Sequence, residues 1–259
     1  MTAGNLFCGF SATLKIFEGT LLQAVDPIGA TGRFHHAIWY ILFAFVFDML
    51  DGRIARLGGQ ESAFGREFDS LADVISFGVA PALLVFQIIL QEFDWVGRII
   101  AFFYLTCGAL RLARFNCMVA ENCEAAAHSD FEGIPTPAAA GFIASLTLTM
   151  LWLESKNVEV GKWQLILPPL MLFLSLMMFS SVRYPSFKAI NWRTQRSLPM
   201  FLCIILLIVL TLTNYEWMPT AIFLVYMLYG LIRPWLSKKM RHNIEIEIGE
   251  ELPSEDTEE

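Results

Sequence analysis

Four aspartates stand out in an otherwise apolar stretch, FDMLDGRIARLGGQESAFGREFDSLAD at 47–73. Asp48 and Asp51 are three residues apart and share one helix face. Gly65, Asp69 and Asp73 step by four and form a second stripe. Gly58 and Gly59 can end the first helix, and Ser62 can help restart the chain. Two antiparallel helices would then each offer two carboxylates to a shared cleft. Carboxylates at such range repel unless cations lie among them. Hard divalent ions with oxygen ligands, Mg²⁺ or Mn²⁺, are the natural partners. Two such ions about 4 Å apart are a known device for phosphoryl chemistry. Gly52, Ala55 and Gly65 are small, so a bulky ligand can approach the backbone there. The plainer explanation, solvated charges on a membrane-surface loop, would suit one Asp but not four at helical spacing.

The rest of the chain must place that cluster at a membrane. Of 259 residues, 56% are hydrophobic and 17% charged, and mean hydropathy is +0.54. Soluble domains carry about 25% charged residues. The net charge of −7 is concentrated at the end: residues 243–259 hold eight acidic residues and no basic one. Without them the chain is nearly neutral, so a nucleic-acid footprint is absent. Five cysteines without a C-x-x-C pair read as free thiols. The start lacks a basic n-region and an A-x-A site, so no cleavable signal is expected.

Apolar stretches near 5–24, 34–57, 71–91, 95–115, 136–153, 164–182, 199–213 and 218–232 read as spans. The first is weak, because Lys15, Glu18 and Gln23 interrupt it, and the last two are short enough to form a hairpin. With the N-terminus in the cytoplasm, thirteen Lys and Arg fall on the cytoplasmic side, from Arg53 to Arg241. Arg33, Arg98, Lys156 and Lys162 fall on the other. This bias predicts an even number of spans with both termini and the Asp cluster cytoplasmic. Arg111 and Arg114 lie on one face at the end of span four, where a buried Arg needs an anion. Arg183 and Lys188 flank Tyr184-Pro185 just past span six, suited to a lipid diphosphate or to the anionic leaflet. Ser76 and Asn116 are polar neighbours suited to a head group. Gly133, Pro135 and Pro137 suggest a rigid loop before span five.

From Asp48 to Asp73 the residues match D-x2-D-G-x2-A-R-x8-G-x3-D-x3-D without a gap. This stretch resembles the signature of the CDP-alcohol phosphatidyltransferases, membrane enzymes of phospholipid synthesis. The resemblance implies that Asp48, Asp51, Asp69 and Asp73 ligate two divalent metals. It implies that Gly52, Ala55, Arg56 and Gly65 accommodate the CDP moiety, with Asn5 and Thr2 as further polar candidates. Asp73 would be the general base for the incoming hydroxyl. GNLFCGF at 4–10, FDSLADVISFGVAPALL at 68–84, GALRLARFN at 108–116, FEGIPTPAAAG at 131–141 and VRYPSFK at 182–188 resemble the phosphatidylserine synthase branch. That branch joins CDP-diacylglycerol and L-serine, giving phosphatidylserine and CMP, which would make Arg111, Arg114, Arg183, Lys188, Ser76 and Asn116 the serine or lipid-phosphate side of the site.

The expected fold class is an all-α polytopic membrane protein, with a six-helix catalytic core at 1–190, a helical hairpin at 191–238 and an acidic, disordered tail at 239–259. The resemblance also implies a homodimer in the inner membrane, if the source is bacterial, surrounded by membrane lipids. Rival readings keep the chemistry and change the acceptor to glycerol 3-phosphate or inositol phosphate, or make the four Asp the ion site of a divalent-cation transporter. Transport predicts polar residues along a path at mid-membrane, whereas these Asp crowd one end.

Residues 243–259 have no apolar face and lie outside the resemblance. Deleting them should leave catalysis nearly intact when truncated and full-length chains are compared at equal concentration. Loss of activity in a well-folded truncation would show that the tail takes part.

Overall fold

Within hydrocarbon every backbone amide must be satisfied inside its own segment, so apolar stretches of this length become helices. The computed structural model of the chain describes residues 1–58, 63–121, 131–156, 164–180, 183–184, 210–211 and 213–232. Its helices are α1 (Thr2–Leu22), α2 (Pro27–Gly58), α3 (Ala63–Asp73), α4 (Ala80–Ile88), α5 (Asp94–Glu121), α6 (Thr136–Ser155), α7 (Leu167–Phe179) and α8 (Met218–Ile232). The expected all-α membrane architecture is what is found. The exception is a two-residue antiparallel pairing of Phe131 with Tyr184 and Glu132 with Arg183. The span expected at 199–213 lies almost wholly outside the described residues, as does the acidic tail.

Among the described residues, four helical stretches are long and apolar enough to cross a membrane: Pro27–Asp51, Phe64–Ile88, Leu90–Met118 and Thr136–Ser155. Two shorter apolar helices are Leu167–Phe179 and Met218–Ile232. The span expected at 71–91 therefore starts earlier, and it ends where Ile89 leaves helical geometry. α1 is not among the four, because its charges interrupt it. Those charges are paired: Glu18 Oε2 lies 2.7 Å from Lys15 Nζ and 3.1 Å from Arg33 Nη1.

α6 is the most enclosed span, with 72% of its apolar window buried. Ala138, Ala139, Ala140, Gly141 and Ala144 give it a thin profile that lets neighbours close in. A Cβ on Gly141 would stand 2.3 Å from the Phe223 ring of α8. Polar contacts reinforce that packing. Thr149 Oγ1 donates to the Glu216 carbonyl at 2.8 Å, which leaves the Thr220 hydroxyl to donate to Thr149, also at 2.8 Å. α6 thereby joins two apolar clusters. One, around Tyr104, Ile143, Leu167 and Met171, lies between α5, α6 and α7. The other, around Ile16, Ile38, Leu84 and Leu148, lies between α1, α2, α4 and α6.

Directly after Asp73 the span is not α-helical. Val74–Val79 form a π segment, a local widening common near functional sites. Both neighbours clamp it. The buried Tyr104 hydroxyl on α5 donates to the Phe77 carbonyl at 3.1 Å. On the α1 side, a Cβ on Gly9 would stand 2.7 Å from Ser76 Cα, so only glycine permits this approach. The loop entering α6 is held as firmly. Gly133 adopts φ +79°, and the Ile134 amide donates to the Met177 carbonyl at 3.2 Å. The rigid loop expected from Gly133, Pro135 and Pro137 is thus tied to the end of α7.

Tyr104→Phe should leave the Phe77 carbonyl without that donor and lower stability by about 1 kcal/mol. Unfolding in detergent followed by circular dichroism checks this; an unchanged midpoint would show that the π segment does not need the clamp.

Candidate functional site

The end of α2 and the length of α3 bring the signature carboxylates together. One carboxylate oxygen each from Asp48, Asp69 and Asp73 lies within 4.8 Å of the others. Asp73 is buried, and Asp48 and Asp69 are half-buried. The fourth, Asp51, is not part of this group. It accepts a hydrogen bond from the Thr2 hydroxyl instead. The expected four-carboxylate cleft is therefore three carboxylates and a neighbour tied to the N-terminal turn of α1.

α1 makes a second connection one turn later. Asn5 is wholly buried, and its amide nitrogen donates to Asp73 Oδ1 at 2.8 Å. Ser76, in the π segment, donates to the Asn5 carbonyl at 3.0 Å. Thr2 and Asn5, read from sequence as nucleotide contacts, thus both touch carboxylates. Thr2, Asn5 and Gly9 step by three and four along α1, a polar and small stripe that could have revealed this role in the sequence.

Arg111 enters from α5. Its Nη1 donates to the Thr136 hydroxyl at 3.1 Å, and its charge acts on Asp73 and on Tyr226 of α8. Thr136, buried at the start of α6, went unnoticed in the sequence although it stands inside GIPTPAAAG. Arg114, expected beside Arg111, is exposed. Asn116 turns away from the cluster: its amide donates to Glu67 Oε2 at 3.1 Å and Ser70 Oγ at 2.9 Å, pinning α3 to α5. Ser76 is buried on Asn5 rather than open to a head group. Gly65 lies on α3, half-buried and four residues before Asp69. Gly52, Ala55 and Arg56 continue α2, but their surroundings lie outside the described residues. So do the Arg183 side chain, whose backbone pairs with Glu132, and the whole of Lys188.

The three oxygens form an all-carboxylate donor set, which suits a hard divalent cation. Asn5 contributes a neutral donor to Asp73. The cluster thus fits metal binding on donor chemistry as well as on distance.

Comparison with known proteins agrees. A CDP-diacylglycerol–serine O-phosphatidyltransferase of Helicobacter pylori is 33% identical over 236 residues, 91% of this chain and 89% of its own length. An archaetidylserine synthase of Methanothermobacter thermautotrophicus is 34% identical over 168 residues, 64% of this chain and 63% of its own. A CDP-diacylglycerol–serine O-phosphatidyltransferase of Saccharomyces cerevisiae is 42% identical over 144 residues, 53% of this chain and 48% of its own. Residues 1–182, from α1 through α7, match the model of the family described as CDP-alcohol phosphatidyltransferase. The chain is an integral membrane protein that belongs to the CDP-alcohol phosphatidyltransferase family.

Proposed function

We propose that this chain transfers the phosphatidyl group of CDP-diacylglycerol to the hydroxyl of L-serine, giving phosphatidylserine and CMP. The observation that carries the proposal is the meeting of Asp48, Asp69 and Asp73 within 4.8 Å at one end of two apolar helices. Serine as acceptor is supported by relatives that align with most of the chain and are named CDP-diacylglycerol–serine O-phosphatidyltransferases.

Asp48, Asp69 and Asp73, with Asp51 beside them, would hold Mg²⁺ or Mn²⁺. Such ions, when bound, offset the charge of a diphosphate and of a departing nucleotide. The remaining steps fall to side chains. Asp73 takes the proton of the serine hydroxyl. The serine oxygen bonds to the phosphorus that carries diacylglycerol, the bond from that phosphorus to the CMP oxygen breaks, and CMP leaves with the electron pair. Arg111, held by Thr136 and facing Asp73, suits the serine carboxylate or the lipid phosphate. By the family resemblance, Gly52, Ala55, Arg56 and Gly65 would accommodate the CDP moiety. The basic-residue bias supports a cytoplasmic site with both termini on that side. A homodimer is proposed from the family resemblance.

Purified protein given CDP-diacylglycerol and labelled serine should form labelled phosphatidylserine and CMP in equal amounts. Product from glycerol 3-phosphate or inositol phosphate but none from serine would overturn the acceptor assignment. The variants separate the roles of the carboxylates. Asp73→Asn should lower kcat by roughly 10²-fold or more while CDP-diacylglycerol still binds. Asp48→Asn and Asp69→Asn should lose donor affinity. Normal turnover by Asp73→Asn would mean that another group takes the proton.

A further inference from the structure

Asn5 has been placed on the nucleotide side of the site, yet it presents no surface to a ligand: its relative exposure is 0%. What it does touch is Asp73. A carboxylate can only accept, so the NH₂ end of the amide must face Asp73 Oδ1 and the amide oxygen must face away. That oxygen is buried and has no hydrogen-bond partner among the described residues. An unsatisfied buried acceptor is destabilising. Leucine would fill nearly the same volume without that cost, so packing alone does not account for an asparagine here.

The backbone of Asn5 is fixed as tightly as its side chain. Its carbonyl accepts from Ser76 Oγ at 3.0 Å, and Gly9, one turn on, lets α1 lie against Ser76. Ser76 stands three residues after Asp73, inside the π segment. One residue therefore holds both the carboxylate and the widened turn that follows it. The bond occupies Oδ1 and restricts rotation of the carboxylate, so that Oδ2 is the oxygen left to meet the acceptor hydroxyl.

We propose that Asn5 is a positioning residue: by holding Asp73 Oδ1 it directs Oδ2 to the acceptor hydroxyl, and it acts on the reaction only through Asp73. This rests on the reading of Asp73 as the proton acceptor. Loss of a partner that orients a reacting carboxylate costs roughly 10–100-fold in activity by analogy with the outer-shell partners of metal ligands.

The test measures kcat, CDP-diacylglycerol affinity and the unfolding midpoint in detergent for Asn5→Leu, Asp73→Asn and the double variant. For Asn5→Leu, kcat should fall roughly 10–100-fold, with donor affinity near wild type and a midpoint near wild type, since the donor lost to Asp73 is offset by removal of the orphaned amide oxygen. A merely structural asparagine would lower the midpoint and leave the kcat of the folded fraction alone. The double variant should be no slower than Asp73→Asn. Wild-type kcat in Asn5→Leu, loss of donor affinity instead of kcat, or additive effects in the double variant would each overturn the inference. If Asn5→Leu does not fold, Asn5→Ala, which creates space rather than filling it, is read by the same criteria. Wild-type turnover in Asp73→Asn would instead overturn the reading on which the inference rests.

Discussion

Mutual repulsion of carboxylates is the constraint around which this molecule is built. Two charges at the separation found between Asp48, Asp69 and Asp73 repel by on the order of 3–4 kcal/mol at an effective dielectric of about 20. Three such pairs approach the entire stability of an ordinary domain, about 5–15 kcal/mol. A divalent cation among these oxygens would offset that repulsion, so the proposed metal binding and the packing of α2 against α3 concern the same groups.

The helices around the cluster divide the work. α2 and α3 supply the carboxylates, and the π segment after Asp73 marks where the span leaves regular geometry. α1 has its inner charges paired in the Lys15–Glu18–Arg33 group. It also acts as a polar clasp, with Thr2 on Asp51 and Asn5 on Asp73. α5 and α6 meet through Arg111 and Thr136 on the far side of Asp73. α8 follows the part of the chain that matches the family, yet it seats Phe223 against Gly141 and brings Tyr226 toward Arg111.

Much of this was legible in the sequence because helical periodicity is a local property. Asp at i, i+3 on one helix and i, i+4 on the next fixes which carboxylates share a face, and two apolar spans force those faces to one membrane side. The first helix ends at Gly58, as its residue type suggested, and the next begins at Ala63, directly after the expected restart at Ser62. The split of four Asp into three and one was not legible, because it depends on α1 folding back to offer Thr2 to Asp51. Ser76 and Asn116 looked like ligand contacts because both are polar residues near charged ones. Their actual partners, Asn5 on one side and Glu67 with Ser70 on the other, come from 46 to 71 residues away in sequence. The π segment left no mark in VISFGV, where Ser76 is the one polar residue among apolar ones.

The central claim is that the carboxylate cluster is a divalent-metal centre, and counting ions tests it most directly. Metal-stripped protein in detergent can be titrated with Mn²⁺ while free Mn²⁺ is followed by its electron paramagnetic resonance signal. About two tightly held ions per wild-type chain are expected, and Asp69→Asn should lose at least one of them. Absence of tight Mn²⁺ binding to the folded wild-type chain, or the same stoichiometry and affinity in Asp69→Asn, would contradict the assignment.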